Sequence, residues 1–452
     1  MIKIIGSFFC VFLALINSFA QSPINTEREK AEPLFHLVND IKINGTVDQS
    51  LVFDYGVLVV WRNRHSDHTY LSKFNNRGDL NWERKFPVKN NLRASVSKSS
   101  NTIILSIPIP WEDEYNTALR KCDYKVLNRN GELLNEFKLD CAVVTPIGDK
   151  GWVLLQYEQY SKTIYNYQKS EFFEEKDHLT NITVLSDNTL IIFEKIWEKV
   201  SQADVSNEKK GDYTPVNKQR NRIRAKLDSV LLSTLTISGG DIKSNKNALR
   251  SQEKIDYGFG FDSQQVEFES LSNTIGWSTR FLTQVEPTRK YESKLFFLNQ
   301  NGELKSTFSS NSAIENFSFV NSSTVLVFLQ HINPLKPFES SMALYDIIEE
   351  NVVWEKKNDM FKNYAPKTFV VNEDVDFLLL QGNIKPEQSC KTDILHLELQ
   401  SGRVSCPPLF KELGPLYHPE LIQLSENNTQ FLLINSEKDN LFFASLNEKF
   451  AN

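Results

Sequence analysis

The chain has 452 residues and a formal charge of −6, with 24% charged and 40% hydrophobic residues. That balance excludes a disordered chain and a polytopic membrane protein, and so mild a charge gives nucleic acid no electrostatic claim as partner. Phe 31 and Tyr 14 against Met 3 favour aromatic-rich strands over helical bundles.

The first segment carries Lys3, an apolar run from Ile4 to Ile16, and small residues at Ser18 and Ala20. This predicts a secretory signal over 1–20, cut before Gln21, with residues 21–452 forming the mature domain. The apolar run is short for a membrane anchor, and no later segment offers 18 consecutive apolar residues. The expectation is an exported chain, secreted or periplasmic, with no transmembrane anchor after cleavage.

From Pro33 onward the chain reads as strands. Pro33 to Val38 is a spare strand before the first full unit. One unit then keeps returning, a polar turn followed by a short apolar run. The runs start at Val57, Ile103, Trp152, Leu190, Ile275, Val325, Val375 and Phe431. Their steps are 46, 49, 38, 85, 50, 50 and 56 residues, the 85 being one repeat plus an insertion. A second element follows most runs: a hairpin turn with Gly and an acid, at Gly78-Asp79, Gly131-Glu132, Gly240-Asp241 and Gly302-Glu303. Gly supplies the positive φ such turns need. Asn351-Val352 and Gly402-Arg403 are eroded copies, and the eighth run has no Gly hairpin.

Four short strands every ~50 residues describe a propeller blade. The rhythm resembles the quinoprotein-like and tryptophan-aspartate-repeat propellers over nearly the whole mature chain, though no specific signature of either family is intact. That resemblance implies an all-β chain forming a single propeller. Eight four-stranded blades are expected, with seven as the alternative and a two-sandwich protein as the structural runner-up. The N-terminal strand would complete the last blade and cover its exposed edge.

The chemistry-bearing residues are few. His65-Ser66-Asp67-His68 resembles half of the metallo-β-lactamase metal motif, but Asn63 replaces its first His, and a strand follows where a helix should. It reads as a solvated loop between two strands, and no metal or cofactor is expected. Arg77-Gly78-Asp79 is an integrin-type tripeptide that the Gly turn already explains. Trp111-Glu112-Asp113-Glu114-Tyr115 and Glu171-Phe172-Phe173-Glu174-Glu175 mix acids with aromatics. Paired carboxylates beside aromatic platforms can cut glycans, so a carbohydrate-active propeller enzyme, a hydrolase or a lyase, is the alternative function.

Once Cys10 leaves with the signal, four cysteines remain, and an even number in an exported chain favours disulfides. Three pairings are possible. Cys122 and Cys141 bracket the Gly131 hairpin, as Cys390 and Cys406 bracket the Gly402 hairpin, so Cys122–Cys141 and Cys390–Cys406 are expected. The insertion spans about 195–228. Within it the stretch from Lys209 to Lys226 carries seven basic residues, Lys209, Lys210, Lys218, Arg220, Arg222, Arg224 and Lys226, against one acid, Asp212. It reads as a solvated loop able to dock an acidic partner, and deleting Ser201 to Ala225 should leave the fold intact. The function expected is non-catalytic binding of a protein or glycan on one face of the ring.

Overall fold

The computed structural model describes residues 32–450, apart from 88–91, 97–101, 110–120, 142, 148–150, 157–160, 167–170, 177–178, 187–188, 200–224, 239–240, 257–265, 270–271, 285–289, 300–302, 332–338, 358–359, 362–365, 372–376, 385–389, 391, 412, 414–415, 417–418 and 425–428. For 145–266 it describes the backbone alone. The signal segment therefore lies outside the described residues.

The described chain is all-β, with no α-helix. Strand β1 (Phe35–Lys42) comes first, and the remaining strands fall into antiparallel meanders. Sheet 1 is β2 (Gly45–Val52), β3 (Gly56–Asn63), β4 (Thr69–Asn75) and β5 (Leu80–Phe86). Sheet 2 is β6 (Arg93–Val96), β7 (Thr102–Pro108), β8 (Lys121–Asn128) and β9 (Leu133–Asp140). Sheet 3 is β10 (Val143–Ile147), β11 (Gly151–Gln156), β12 (Ser161–Asn166) and β13 (Glu171–Lys176). Sheet 4 is β14 (Leu179–Ser186), β15 (Thr189–Lys199), β16 (Ala225–Ser238) and β17 (Asp241–Asp256). Sheet 5 is β18 (Val266–Glu269), β19 (Thr274–Gln284), β20 (Lys290–Leu298) and β21 (Leu304–Ser310). Sheet 6 is β22 (Ala313–Phe319), β23 (Thr324–His331), β24 (Glu339–Asp346) and β25 (Asn351–Lys357). Sheet 7 is β26 (Lys367–Val370), β27 (Phe377–Gln381), β28 (Ile394–Glu398) and β29 (Arg403–Ser405). Sheet 8 is β30 (Glu420–Gln423), β31 (Gln430–Ile434) and β32 (Asn440–Leu446), with β1 as its fourth strand.

The apolar runs of the sequence are the second strands. Val57, Ile103, Trp152, Leu190, Ile275, Val325 and Phe431 lie in β3, β7, β11, β15, β19, β23 and β31. Val375 lies outside the described residues, two positions before β27. Where their side chains are described, these strands are apolar on both faces because each face packs against a neighbouring sheet. Val57 and Val59 point into a core shared by sheets 1 and 8, whereas Leu58 and Val60 enter one shared with sheet 2. Similar cores join sheets 5 and 6, 6 and 7, and 7 and 8. First strands lie against first strands: β2 contacts β6, β6 contacts β10, β10 contacts β14, β14 contacts β18, and β18 contacts β22. Side-chain amides latch some of them together. Gln49 on β2 both donates to the Ala94 carbonyl (2.9 Å) and accepts from the Ala94 amide (3.0 Å). Between sheets 8 and 7, Gln423 Nε2 donates to the Val370 carbonyl at 2.6 Å.

The turn between third and fourth strands has a shared internal structure. Asn75 Oδ1 accepts the amides of Arg77 and Asp79 at 2.9 Å, and its Nδ2 donates to the Asp79 carboxylate at 2.9 Å. Asn128 treats Asn130 and Glu132 the same way, and Asn299 holds both the amide and the carboxylate of Glu303. Gly78 and Gly131 take φ of 87° and 80°. The sequence reading found the Gly and the acid but missed the Asn three residues earlier, whose side chain closes the turn.

Gly131 also has a neighbour across the sheet boundary. Trp82 of β5 lies over it and donates Nε1–H to the Arg129 carbonyl at 2.9 Å. Trp354 of β25 lies over Gly402 and donates to the Leu399 carbonyl at 2.5 Å. A Cβ at position 131 would come 3.0 Å from the Trp82 ring, on a backbone that L-residues adopt at a cost of about 1–2 kcal/mol. Gly131→Ala is therefore expected to destabilise by at least about that amount. A urea titration checks it, and an unmoved midpoint would show that the turn relaxes freely.

Candidate interaction face

The meander sorts the connections by end. In each sheet the first and third turns lie at one end, which we call the hairpin end. The second turn and the link to the next sheet lie at the other, the link end. The connections at the hairpin end are two to six residues long. Longer connections gather at the link end: 109–120, 200–224, 332–338, 382–393 and 406–419.

Sheet 4 is drawn out toward that end. Its second to fourth strands have 11, 14 and 16 residues, while β14 pairs β15 only as far as Glu194. Beyond Glu194, Lys195–Lys199 pairs only with β16, ending at Lys199↔Ala225. At a rise of ~3.3 Å per residue, this ribbon extends well past the neighbouring strands. The expected loop is thus shorter than the sequence suggested: 195–199 and 225–228 are strand. Lys226 lies in β16, in register with Glu198 and Asp256. Lys209, Lys210, Lys218, Arg220, Arg222 and Arg224 lie outside the described residues.

Both disulfides sit at the link end. Cys122 at the start of β8 pairs with Cys141 just after β9, their Cα atoms 4.9 Å apart. Cys390, before β28, pairs with Cys406, just after β29, at 5.8 Å. Each closes the open end of one outer hairpin, as the cysteine spacing implied.

At the seam between sheets 8 and 1 the link end is charged. Arg62 grips Asp48 with Nε and Nη2 at 2.6 and 2.7 Å, and Arg64 reaches Asp439 at 3.2 Å. His65-Ser66-Asp67-His68 forms the adjoining turn between β3 and β4, where the Asn63 side chain accepts the His65 amide at 2.8 Å. No group of three or more His, Cys, Asp or Glu converges on a metal position among the described residues. The acids of Glu171–Lys176 lie on β13, the last strand of sheet 3. Trp111 to Tyr115 lies outside the described residues. At Arg77-Gly78-Asp79 the carboxylate is held by Asn75, so the turn accounts for it.

Two basic side chains, the exposed Lys367 and the half-buried His396, have structural partners. Lys367 of β26 donates to the Leu421 carbonyl at 3.3 Å and lies 5.0 Å from the Phe369 ring, and desolvation lowers its pKa against the pull of Glu420. His396 is flanked by Phe377 and Phe450, with ring centroids at 4.6 and 5.4 Å. Burial pushes its pKa below the usual range, opposed by Glu398.

No family model matches the chain, and no curated protein matches it. Among solved structures it is similar to the WD40 domain of SCAP from fission yeast, at 9% identity and a TM-score of 0.48, covering 94% of this chain and 100% of that one. It is also similar to TolB from Acinetobacter baumannii, at 8% identity and a TM-score of 0.28, covering 76% of this chain and 80% of that one. It is the sheet topology that makes the fold β-propeller-like: successive four-stranded antiparallel sheets, packed first strand against first strand.

Proposed function

We propose that the chain is an exported, non-catalytic propeller of eight blades that binds a protein or glycan partner at its link end. The observation carrying this reading is the drawn-out ribbon of sheet 4, whose tip holds both ends of the basic 200–224 segment. Lys209, Lys210, Lys218, Arg220, Arg222, Arg224 and Lys226 are the proposed docking residues, and an acidic protein surface or a sulfated glycan is the complementary chemistry. Ring closure rests on the pairing of β1 with β32 and on the core shared by sheets 8 and 1. Export, with the signal at 1–20 removed, is supported by the two disulfides.

Because Ala225 pairs with Lys199, the deletion that tests the segment stops at residue 224. Removing 201–224 and joining the strands through a short Gly-Ser turn should leave the melting temperature within a few degrees. Binding to a heparin oligosaccharide and to a poly-glutamate peptide is then measured across a salt series. Exposed charges are screened over about 8 Å at physiological ionic strength, so affinity for the matching probe should fall with salt. The deletion should abolish that binding. Binding that survives the deletion, or that ignores salt, would refute the assignment, and the better probe separates glycan from protein.

A further inference from the structure

The fourth strand of sheet 6, β25, ends its sheet: it pairs with β24 on one side, and no described strand pairs its other edge. All its residues are exposed except Trp354. Val352 is 46% and Val353 53% exposed, and Ile348, in the turn just before, reaches 73%. An open edge carrying β-branched residues is a template for a further strand.

The charges along this strand select which one. Asp346, Glu349 and Glu350 precede it, and Lys356 and Lys357 end it. A parallel partner of the same sequence would set acid beside acid and lysine beside lysine. Antiparallel pairing about Val353 places Val352 opposite Trp354, Asn351 opposite Glu355, Glu350 opposite Lys356 and Glu349 opposite Lys357. Glu349 and Glu350 of each copy then run beside the lysine end of the other. The same two contacts form twice, as a two-fold axis requires. We propose that β25 is a self-association edge through which two copies of this chain pair antiparallel, forming a sheet continuous across the dimer.

The outer strands β5, β9 and β29 lack this combination. β5 matches β25 in Trp82-Glu83-Arg84-Lys85, even to Ser72 donating to Glu83 as Ser341 donates to Glu355, both at 2.7 Å. Yet Asn81 stands where β25 has Val353, and Arg77 accompanies the acid of its turn. β9 exposes Leu133 and Leu134 but has acids at both ends, Glu132 and Asp140, which antiparallel self-pairing would oppose. β29 has three residues.

A single strand edge is a small interface, so the dimer should be weak and concentration-dependent. Sedimentation velocity on the full exported chain should show a monomer–dimer equilibrium that shifts to monomer with added salt. Two charge-reversed variants decide the geometry: Lys356→Glu with Lys357→Glu, and Glu349→Lys with Glu350→Lys. Each alone should dimerise at least about tenfold more weakly, because both of its contacts become like-charged. Mixed in equal amounts they should associate again, since every contact is then between opposite charges. That rescue also shows that both variants are folded. A wild-type chain monomeric at all concentrations, variants that dimerise undiminished, or a mixture that stays monomeric would each overturn the proposal.

Discussion

Replacing Phe35 with Ala should lower the unfolding free energy by about 3–5 kcal/mol, the usual cost of emptying a buried Phe site. Phe35 is 1% exposed and stands among Phe431 and Phe410, with ring centroids at 5.2 and 6.0 Å. Its backbone amide donates to the Leu409 carbonyl at 2.9 Å, and the Leu34 amide donates to Pro408 at 2.7 Å. Asn447 binds the same segment from the other terminus, its amide on the Leu34 carbonyl and its side chain on that of Pro33, both at 3.0 Å. Deleting residues 32–42 should do more, because it also leaves the β32 edge unpaired and open to aggregation. Val38, on the same strand but 48% exposed, is the control, and its change to Ala should stay within about 0.5 kcal/mol. Urea denaturation of the point variants and thermal melting of the truncation measure these effects. A truncated chain that melts where the full chain does would reduce β1 to an appendage and remove the support for a closed ring.

The second large effect belongs to the disulfides. Cys122–Cys141 and Cys390–Cys406 close loops with separations of 19 and 16 residues. In the chain-entropy model each restricts the unfolded chain by about 3 kcal/mol. Ser replacement of either pair should lower the unfolding midpoint, and the remaining pair should still respond to reductant. The four-Ser chain should melt identically with and without reductant. Peptide mapping without reduction should recover the two neighbour pairs, and a peptide joining Cys122 to Cys390 would sink the pairing.

How much of this was legible in the residues alone depends on the range of the forces involved. The second strands could be read because burial on both faces makes them continuous apolar runs. Gly78 and Gly131 could be read because positive φ is a local demand that few residues meet. The neighbour pairing of the cysteines followed from the hairpins between them. The first strands were harder: β6, β26 and β30 have four residues each, too few to show a period. The ends of sheet 4 were misread as loop because Lys195–Lys199 and Ala225–Asp228 mix charged with apolar residues, and their strand character comes from backbone pairing with each other across a 25-residue gap.

Composition, strand rhythm, turn positions and cysteine spacing thus determined an all-β repeat with stapled hairpins, because each is fixed by neighbours a few residues away. Only the tertiary structure decided which sheets touch, that Trp82 rests on Gly131 and Trp354 on Gly402, and that the first described strand closes the last sheet. Those contacts join residues 45, 47 and several hundred positions apart. Nothing local marks a side chain for a partner at such distances: the pairing is selected by the fit of whole sheets, which exists only once they have formed.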